Sequence, residues 1–301
     1  MLRSTLHAAA RSRTVRALVE SGAFDPLVDR FVAGTDDDAV LAVARHLATD
    51  RLVTIDHLGE DTTDRAQADT IVAAYVGLLR RIGDEGLAGR VEVSVKLSAL
   101  GQSLPADADK VALDSARQVC EAAAAAGTTV TVDMEDHTLT DRTLQAVRDL
   151  RVDFPWVGAV LQSQLRRTEA DCRDLAGPGS RVRLCKGAYA EPSSVAFERR
   201  EVDLSYVRCL TVLMDGEGLP MVATHDPRLV QIARFLGRGR PYEVQMLHGI
   251  RPDAQVALAA EGEALRVYLP YGTEWFGYFM RRLGERPANL LFFARSLLSR
   301  G

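Results

Sequence analysis

The sequence predicts an α/β fold in which eight parallel strands, each followed by a helix, close into a (β/α)8 barrel of the TIM type. From residue 52 onward, short apolar runs rich in β-branched residues alternate with longer amphipathic segments. There are eight such runs, the number at which a parallel sheet closes on itself. No Gly/Ser-rich linker divides this region of the 301-residue chain, so we expect a single barrel domain.

The predicted strands are Leu52–Ile55, Val91–Val95, Thr129–Val132, Val157–Leu161, Val182–Leu184, Met221–Ala223, Tyr242–Met246 and Leu265–Tyr268. Apolar residues at helical spacing mark the segments between them, among them Ala66–Ile82, Asp107–Ala126, Leu139–Leu150 and Arg251–Ala260. Repetition of strand, helix and strand requires parallel pairing with right-handed crossovers. A doubly wound open sheet is the alternative arrangement of the same elements.

Residues 1–49 contain helical patterns only, so we predict an α-helical N-terminal extension (1–49) followed by a barrel catalytic domain (50–301). The Arg-bearing amphipathic start resembles a transit peptide, but it continues into further helical pattern without a cleavage-like stretch. We therefore interpret it as an ordinary leading helix. A last helical pattern, at 287–298, is surplus to the barrel.

Composition narrows the class of protein. Hydrophobic residues make up 47% of the chain and charged residues 26%, as in globular proteins with a large core. A formal net charge of -4 offers no general attraction for nucleic acid, and no nucleic-acid partner is expected. The four cysteines form no CxxC pair and no zinc spacing, which favours free thiols in the reducing cytoplasm. No apolar run approaches the roughly 20 residues that span a bilayer.

Polar residues stand at the carboxyl ends of the predicted strands. They are Lys96, Asp133, Glu135, Gln162, Arg183, Lys186, Thr224, His225, His248 and Tyr268. In parallel barrels this rim carries the chemistry. A lone charge there is usually solvated, but a whole set indicates a functional mouth, because charges are avoided inside barrels unless they are paired or used. Gly187 follows the fifth strand, and its missing Cβ would let a flat or phosphorylated ligand approach the backbone.

The helix after the eighth strand is expected to complete the site. One of its faces is formed by Tyr278, Arg281, Arg282 and Glu285, and a separate apolar face by Phe276, Phe279, Met280 and Leu283. A charged stripe is usually the solvated side of a helix, but this helix begins at the functional mouth. Two adjacent arginines suit a carboxylate, because guanidinium groups bind planar oxyanions bidentately.

These residues and motifs resemble the proline dehydrogenase family, both the stand-alone enzymes and the matching domain of bifunctional proline catabolic proteins. The resemblance covers about residues 52–298. Its motifs occur in the order of the family: SVKLSALG at 94–101, VDMED at 132–136, VLQ at 160–162, RLCKGAY at 183–189, ATHD at 223–226 and YLPYGTEWFGYFMRRLGERPAN at 268–289.

The resemblance implies a set of substrate-binding positions. They are Lys96, Tyr268, Tyr278, Arg281, Arg282 and Glu285. The lysine and the two arginines match residues that hold the proline carboxylate, the tyrosines match residues packed on the pyrrolidine ring, and the glutamate matches one that orients the arginines. Asp133 and Arg183 match catalytic residues beside the cofactor and the reacting carbon.

The resemblance further implies FAD as the cofactor. The matching positions are Met134, Gln162, Cys185, Lys186, Gly187, Ala188, Tyr189, Thr224 and His225. The family usually carries an aliphatic residue at the position of Cys185. A small soft side chain should be tolerated there, although it places an oxidation site near the cofactor.

The implied reaction is oxidation of L-proline to Δ1-pyrroline-5-carboxylate, the first step of proline catabolism to glutamate, by hydride transfer from proline C5 to flavin N5. The implied electron acceptor is a quinone, with peripheral contact of the protein with the inner membrane. Three other functions stay open on the residues alone. A Schiff-base lyase or aldolase would use Lys96 or Lys186. A metal hydrolase would use Asp133, His137, His225 and His248, although no HxH or ExxH spacing supports it. A non-catalytic barrel would serve as a binding module.

Overall fold

The structure is a computed structural model that describes residues 25–285, apart from a few side chains that include those of Arg281 and Glu285. The predicted leading helix and the helical pattern at 287–298 lie outside the described residues. No helix within residues 25–285 has the length and apolar character to cross a membrane.

Eight parallel strands alternate with helices. The strands are β1 (Leu52–His57), β2 (Val91–Val95), β3 (Val130–Val132), β4 (Gly158–Gln162), β5 (Arg181–Cys185), β6 (Leu219–Ala223), β7 (Glu243–Leu247) and β8 (Leu265–Tyr271). The helices are α1 (Asp25–Val28), α2 (Asp37–Leu47), α3 (Arg65–Asp84), α4 (Ala108–Ala126), α5 (Thr140–Asp153), α6 (Thr168–Leu175), α7 (Arg199–Asp215), α8 (Pro227–Leu236), α9 (Pro252–Ala260) and α10 (Trp275–Glu285). A short π-helical turn, Ser98–Gln102, lies between β2 and α4.

The sheet closes in sequential order, because β1 pairs with both β2 and β8. Six residue pairs join β1 to β8, from Leu52 opposite Arg266 to His57 opposite Tyr271. The predicted (β/α)8 barrel is confirmed, and the open-sheet alternative is wrong.

The apolar core lies between the outer face of the barrel and the surrounding helices. Side chains such as Val53 and Ile55 of β1 belong to the same buried cluster as Tyr75 and Leu78 of α3. Helix α3 starts where the side chain of Asp64 accepts a hydrogen bond from the backbone of Gln67. Side chains alternate between the two faces of each strand, so the apolar ones face the helices and the residues between them face the barrel interior.

The barrel interior is polar, unlike the branched aliphatic layers that fill most such barrels. Arg181 of β5 bonds to Glu92 of β2 at 2.6 Å, and Arg183 of β5 bonds to Gln245 of β7 at 2.7 Å. Neither pair of strands is adjacent, so these bonds cross the interior. Burial would raise the pKa of Glu92, but the charges of Arg266 and Arg181 hold it well below its usual range. The interior charges are therefore present as ion pairs, as burial requires.

The segment before β1 packs against the last described helix. Leu27, Val28, Phe31 and Val32 share a buried cluster with apolar residues of α10, and the rings of Phe31 and Phe279 lie 6.5 Å apart. The chain approaches the loop after β7 so closely that a Cβ at Gly249 would lie 1.8 Å from the carbonyl oxygen of Arg30. This N-terminal brace, residues 27–32, fixes the position of α10 at the barrel mouth.

Candidate active site

A cavity of about 490 Å³ opens at the carboxyl ends of the strands. Each strand contributes a lining side chain, either its own or that of the residue after it; these include Asp56, Lys96, Asp133, Gln162, Arg183, Ala223, Gln245 and Tyr268. Helix α10 covers one side with Tyr278 and Arg282. The predicted mouth is thus a single open cavity bounded by all eight strands.

Asp133 is the centre of a hydrogen-bonded group at the floor of the cavity. Its Oδ1 accepts from Arg183 Nη1 at 2.7 Å and its Oδ2 accepts from the Tyr268 hydroxyl at 2.6 Å. Arg183 also donates to Gln245 at 2.7 Å and to Ser94 at 3.1 Å. Burial, followed by the negative charge of Asp133, raises the pKa of Tyr268 well above its usual value. The phenol therefore stays protonated and acts as a donor.

Lys96 is held in the cavity wall by Asp56. The two oxygens of Asp56 accept from the Lys96 ammonium at 2.9 and 2.8 Å, and the nearest oxygen of Asp133 is 3.9 Å away. Burial alone would lower the pKa of Lys96, but Asp56 and then Asp133 raise it above its usual value. A Schiff base needs the neutral amine, so this geometry opposes the lyase alternative at Lys96. Lys186 is likewise engaged, with Asp203 at 2.5 Å and Asp226 at 3.5 Å.

Helix α10 places a cation and an aromatic ring together. Arg282 lies over the ring of Tyr278, 5.1 Å from its centroid, and both side chains are buried at the cavity. The predicted apolar face is confirmed for Phe276, Phe279 and Met280, which are buried, and the side chain of Leu283 lies outside the described part of the structure. Of the predicted polar face, Tyr278 and Arg282 line the cavity and are not solvated. The side chains of Arg281 and Glu285 lie outside the described part of the structure.

The opposite side of the cavity combines an apolar surface with polar edges. The apolar lining is formed by Met134, Val160, Cys185, Ala223, Met246 and Leu247, and the polar edges by Gln162, Lys186, Thr224 and His225. His225 accepts from the backbone of Leu247 at 2.9 Å, which fixes its ring. A flat heteroaromatic ring with polar edges, such as isoalloxazine, matches this set of donors and apolar contacts.

Gly187 is needed in the turn after β5. Its φ of +107° lies in the region that favours glycine, and a Cβ there would come 2.3 Å from the side chain of Gln164. Next to it, burial raises the pKa of Cys185 to about 11. The thiol is therefore held in its protonated, less reactive form.

The structure gathers fifteen of the seventeen predicted site residues around this one cavity, the other two being Arg281 and Glu285. Sequence reasoning missed Asp56, Glu60 and Gln245, which also line it. Alternation along the strand could have found two of them, because side chains two residues apart lie on the same face. Asp56 follows the polar Thr54 by two residues, and Gln245 follows Glu243 in the same way. Glu60, in a loop, had no comparable signal.

Of the four residues of the metal-hydrolase alternative, Asp133 and His225 line the cavity, but His137 and His248 do not join them. His137 instead contacts Glu191, with its ring nitrogen 2.5 Å from the carboxylate, and His248 is not part of the cavity lining. Within residues 25–285, no three His, Cys, Asp or Glu residues are grouped as metal ligands would be.

A closed (β/α)8 barrel with a charged, partly apolar cavity at the carboxyl ends of its strands has the architecture of a barrel enzyme. The family model described as proline dehydrogenase matches residues 40–295. The chain is 36% identical to proline dehydrogenase 1 of Bacillus subtilis (strain 168) over 278 residues, and 37% identical to the proline dehydrogenase of Deinococcus radiodurans over 281 residues. Each alignment covers 90% of both chains. The chain therefore belongs to the proline dehydrogenase family.

Solved structures support the fold. Proline utilization A from Bdellovibrio bacteriovorus, inactivated by N-propargylglycine, aligns with a TM-score of 0.79 at 22% identity, over 90% of this chain and 33% of that one. A mutant of proline utilization A from Bradyrhizobium japonicum aligns with a TM-score of 0.75 at 23% identity, over 92% and 32%. The chain spans about a third of the length of these proteins.

Proposed function

We propose that this protein is an FAD-dependent proline dehydrogenase that oxidises L-proline to Δ1-pyrroline-5-carboxylate. The observation that carries the proposal is the division of one cavity into two halves. The strand order divides its lining: Lys96, Tyr268, Tyr278 and Arg282 come from the end of β2, from β8 and from α10, whereas the apolar lining and its polar edges come from the ends of β3 to β7. A small zwitterion beside a flat cofactor suits this division, and membership of the family supports it.

The cationic half suits the carboxylate of the substrate. Lys96 and Arg282 line it together, and Arg281 is adjacent to Arg282 on the same helix. Charge-assisted bonds from such groups fix a planar carboxylate in position as well as in orientation. Tyr268 and Tyr278 supply aromatic surfaces for the ring, and Glu285 is proposed to orient the arginine pair.

The apolar half would hold FAD. The residues proposed for it are Met134, Gln162, Cys185, Lys186, Gly187, Ala188, Tyr189, Thr224 and His225, all of which line the cavity. A flavin bound there would supply, at its N5, the acceptor for the hydride from C5 of proline. The chain itself supplies the position of the substrate and the electrostatic environment of the reacting atoms.

Asp133 and Arg183 are proposed to act as a preorganised pair next to the reacting carbon. Both oxygens of Asp133 already accept hydrogen bonds, one from Arg183 and one from Tyr268. We therefore assign the carboxylate to orienting these two donors. We propose that solvent at the open end of the cavity receives that proton, while the fixed charge of Arg183 stabilises negative charge that develops nearby.

We also propose that the electrons pass to a quinone, and that the protein is cytoplasmic with peripheral contact with the inner membrane. Both proposals rest on the resemblance to the family.

An anaerobic titration tests the function. The protein is reconstituted with FAD, and L-proline is added while the visible flavin absorption is followed. We expect the absorption to bleach with L-proline and to persist with pyrrolidine, which lacks the carboxylate. A colourless protein that takes up no flavin, or a bound flavin that L-proline leaves oxidised, would contradict the proposal.

A further inference from the structure

The chain uses lysine sparingly. Among its 37 basic residues only three are lysines, Lys96, Lys110 and Lys186. Lys110 lies on the surface with 77% of its side chain exposed, whereas the other two line the cavity. An ammonium is a compact charge with three donors around one atom, and a guanidinium is a planar fork. A lysine at position 96 therefore places three N–H donors on one atom at the cavity.

Two of the three N–H donors of Lys96 are taken by Asp56. Each oxygen of that carboxylate lies within hydrogen-bond distance, at 2.9 and 2.8 Å. Asp133 is 3.9 Å away, close enough to act through its charge but too far for a hydrogen bond. The third donor is thus left for a ligand in the cavity that Lys96 lines.

Asp56 is suited to act on Lys96 and not on a ligand. It belongs to β1, only 1% of its surface is exposed, and both of its oxygens accept from Lys96. The charged or titratable groups that interact with the Lys96 ammonium through their charges come from several elements; they are Asp56, His57, Glu60, Asp133 and Glu135. Arg183, Tyr268 and Arg282 line the same cavity. Within the part of the chain that the structure describes, Asp56 accepts from Lys96 through both of its oxygens.

We propose that Asp56 is a positioning residue that keeps the Lys96 amine protonated and consumes two of its donors, so that a single N–H is aimed at the substrate carboxylate. The protonation and orientation of Lys96 stand on geometry alone; the identity of the carboxylate rests on the proposed function. A buried ammonium that lost this partner would be left without its compensating charge, and neutralisation would relieve that cost. Removal of Asp56 should therefore convert Lys96 from a fixed cation into a nucleophilic amine.

Acetylation of the ligand-free protein measures this directly. The protein is treated briefly with acetic anhydride at about pH 8.5, and modification of each lysine is quantified by peptide mass spectrometry. Lys110 is the internal reference. The variants are Asp56→Asn and, as a matched control, Asp171→Asn. Asp171 is also a buried carboxylate that holds a cation through both oxygens, with Arg167 at 2.8 and 3.0 Å on the outside of the barrel.

We expect Lys96 to be nearly unmodified in the parent protein and in Asp171→Asn. In Asp56→Asn its modification relative to Lys110 should rise at least about tenfold, the change that one pKa unit produces. Equal modification of Lys96 in the parent and in Asp56→Asn would overturn the proposal.

A second measurement needs no variant. Selective ¹⁵N labelling of lysine gives three side-chain signals, and the ammonium signal of Lys96 in the parent protein should persist at about pH 9, below the ordinary lysine pKa. A neutral Lys96 amine at this pH would overturn the proposal even if Asp56→Asn failed to fold. Neither measurement requires flavin or L-proline. A protein that passed both but did not oxidise L-proline would contradict the proposed function and leave the role of Asp56 intact.

Discussion

Tyr268 reaches across the barrel to Asp133, with its hydroxyl 2.6 Å from Oδ2 of the carboxylate. The two residues belong to β8 and to the end of β3, strands that are not neighbours in the closed sheet. Arg183 holds the other oxygen from β5. Residues from three strands therefore meet at one carboxylate. The loss of either donor should change the position of Asp133 in the cavity.

Tyr268→Phe tests this convergence. The change removes one donor to Asp133 and keeps the ring. The carboxylate would then be held less firmly, so Arg183, which donates to its other oxygen, should be able to shift. A hydrogen bond to a charged group contributes about 1.5 to 3 kcal/mol, which predicts a fall in kcat/KM for L-proline of roughly 10-fold to 100-fold. Steady-state kinetics measure the effect. Tyr242→Phe is the matched control, because the Tyr242 hydroxyl donates to Glu263 at 2.8 Å away from the cavity. An equal loss in both variants would argue against a specific role for Tyr268.

Arg282→Lys tests the carboxylate-binding side. The substitution keeps the positive charge but replaces a planar fork with a point charge. We expect KM for L-proline to rise about tenfold, the equivalent of one charge-assisted contact. Arg167→Lys changes a bidentate pair on the outer helix α6 and should leave KM unaltered. Unchanged kinetics in Arg282→Lys would remove this residue from the proposed carboxylate site.

Phe31→Ala tests the N-terminal brace. Phe31 is fully buried against α10, so its truncation should lower the free energy of unfolding by about 3 to 5 kcal/mol. It should also raise KM, because α10 carries Tyr278 and Arg282. Urea unfolding and kinetics would be measured together. Phe235→Ala is the control, since Phe235 is 63% exposed and should change stability by less than about 0.5 kcal/mol. A loss of stability with an unchanged KM would show that the brace does not position the helix.

The acid stability of the protein should depend on His248. Burial, and then the charge of Arg51, lower the pKa of His248 to about 4. The unfolded chain binds the proton near pH 6.5, so between about pH 6.5 and 4 protonation favours unfolding. The contribution is complete above pH 6.5 and is lost as the pH falls towards 4, by up to about 3 kcal/mol.

His248→Gln should flatten this decline, whereas His46→Gln, at an exposed position on α2, should not. Urea unfolding at several pH values across this range measures the slope. The same slope in parent and His248→Gln would contradict the prediction.

Much of the fold was predictable because its signals are local. The eight strands are short β-branched runs, and their alternation with amphipathic helices admits few topologies. The polar interior was harder to foresee. Glu92 and Arg181 lie in strands in which polar and apolar residues alternate, and only contacts between distant strands show that these two residues neutralise each other.

The candidate site was predictable where residues stand at strand ends, and less so elsewhere. Tyr278 and Arg282 form a polar stripe of the kind that usually faces solvent. They face the cavity only because of the way in which α10 packs on the barrel. The contact of Phe31 with Phe279 joins positions near opposite ends of the chain. One sequence carries no signal for such a pairing, so the N-terminal brace could not be predicted.

The closure of β1 against β8 constrains the order in which the protein can be made. The guanidinium of Arg266 donates a hydrogen bond to the carbonyl of Val53, 213 positions away in the chain. Six residue pairs join the two strands there. During synthesis one edge of β1 therefore stays unpaired until β8 has been made. An unpaired strand edge can pair with strands of other chains. Chains that stop before β8 would expose two such edges and lack Tyr268 as well as α10. Premature termination should consequently yield aggregation-prone fragments without partial activity.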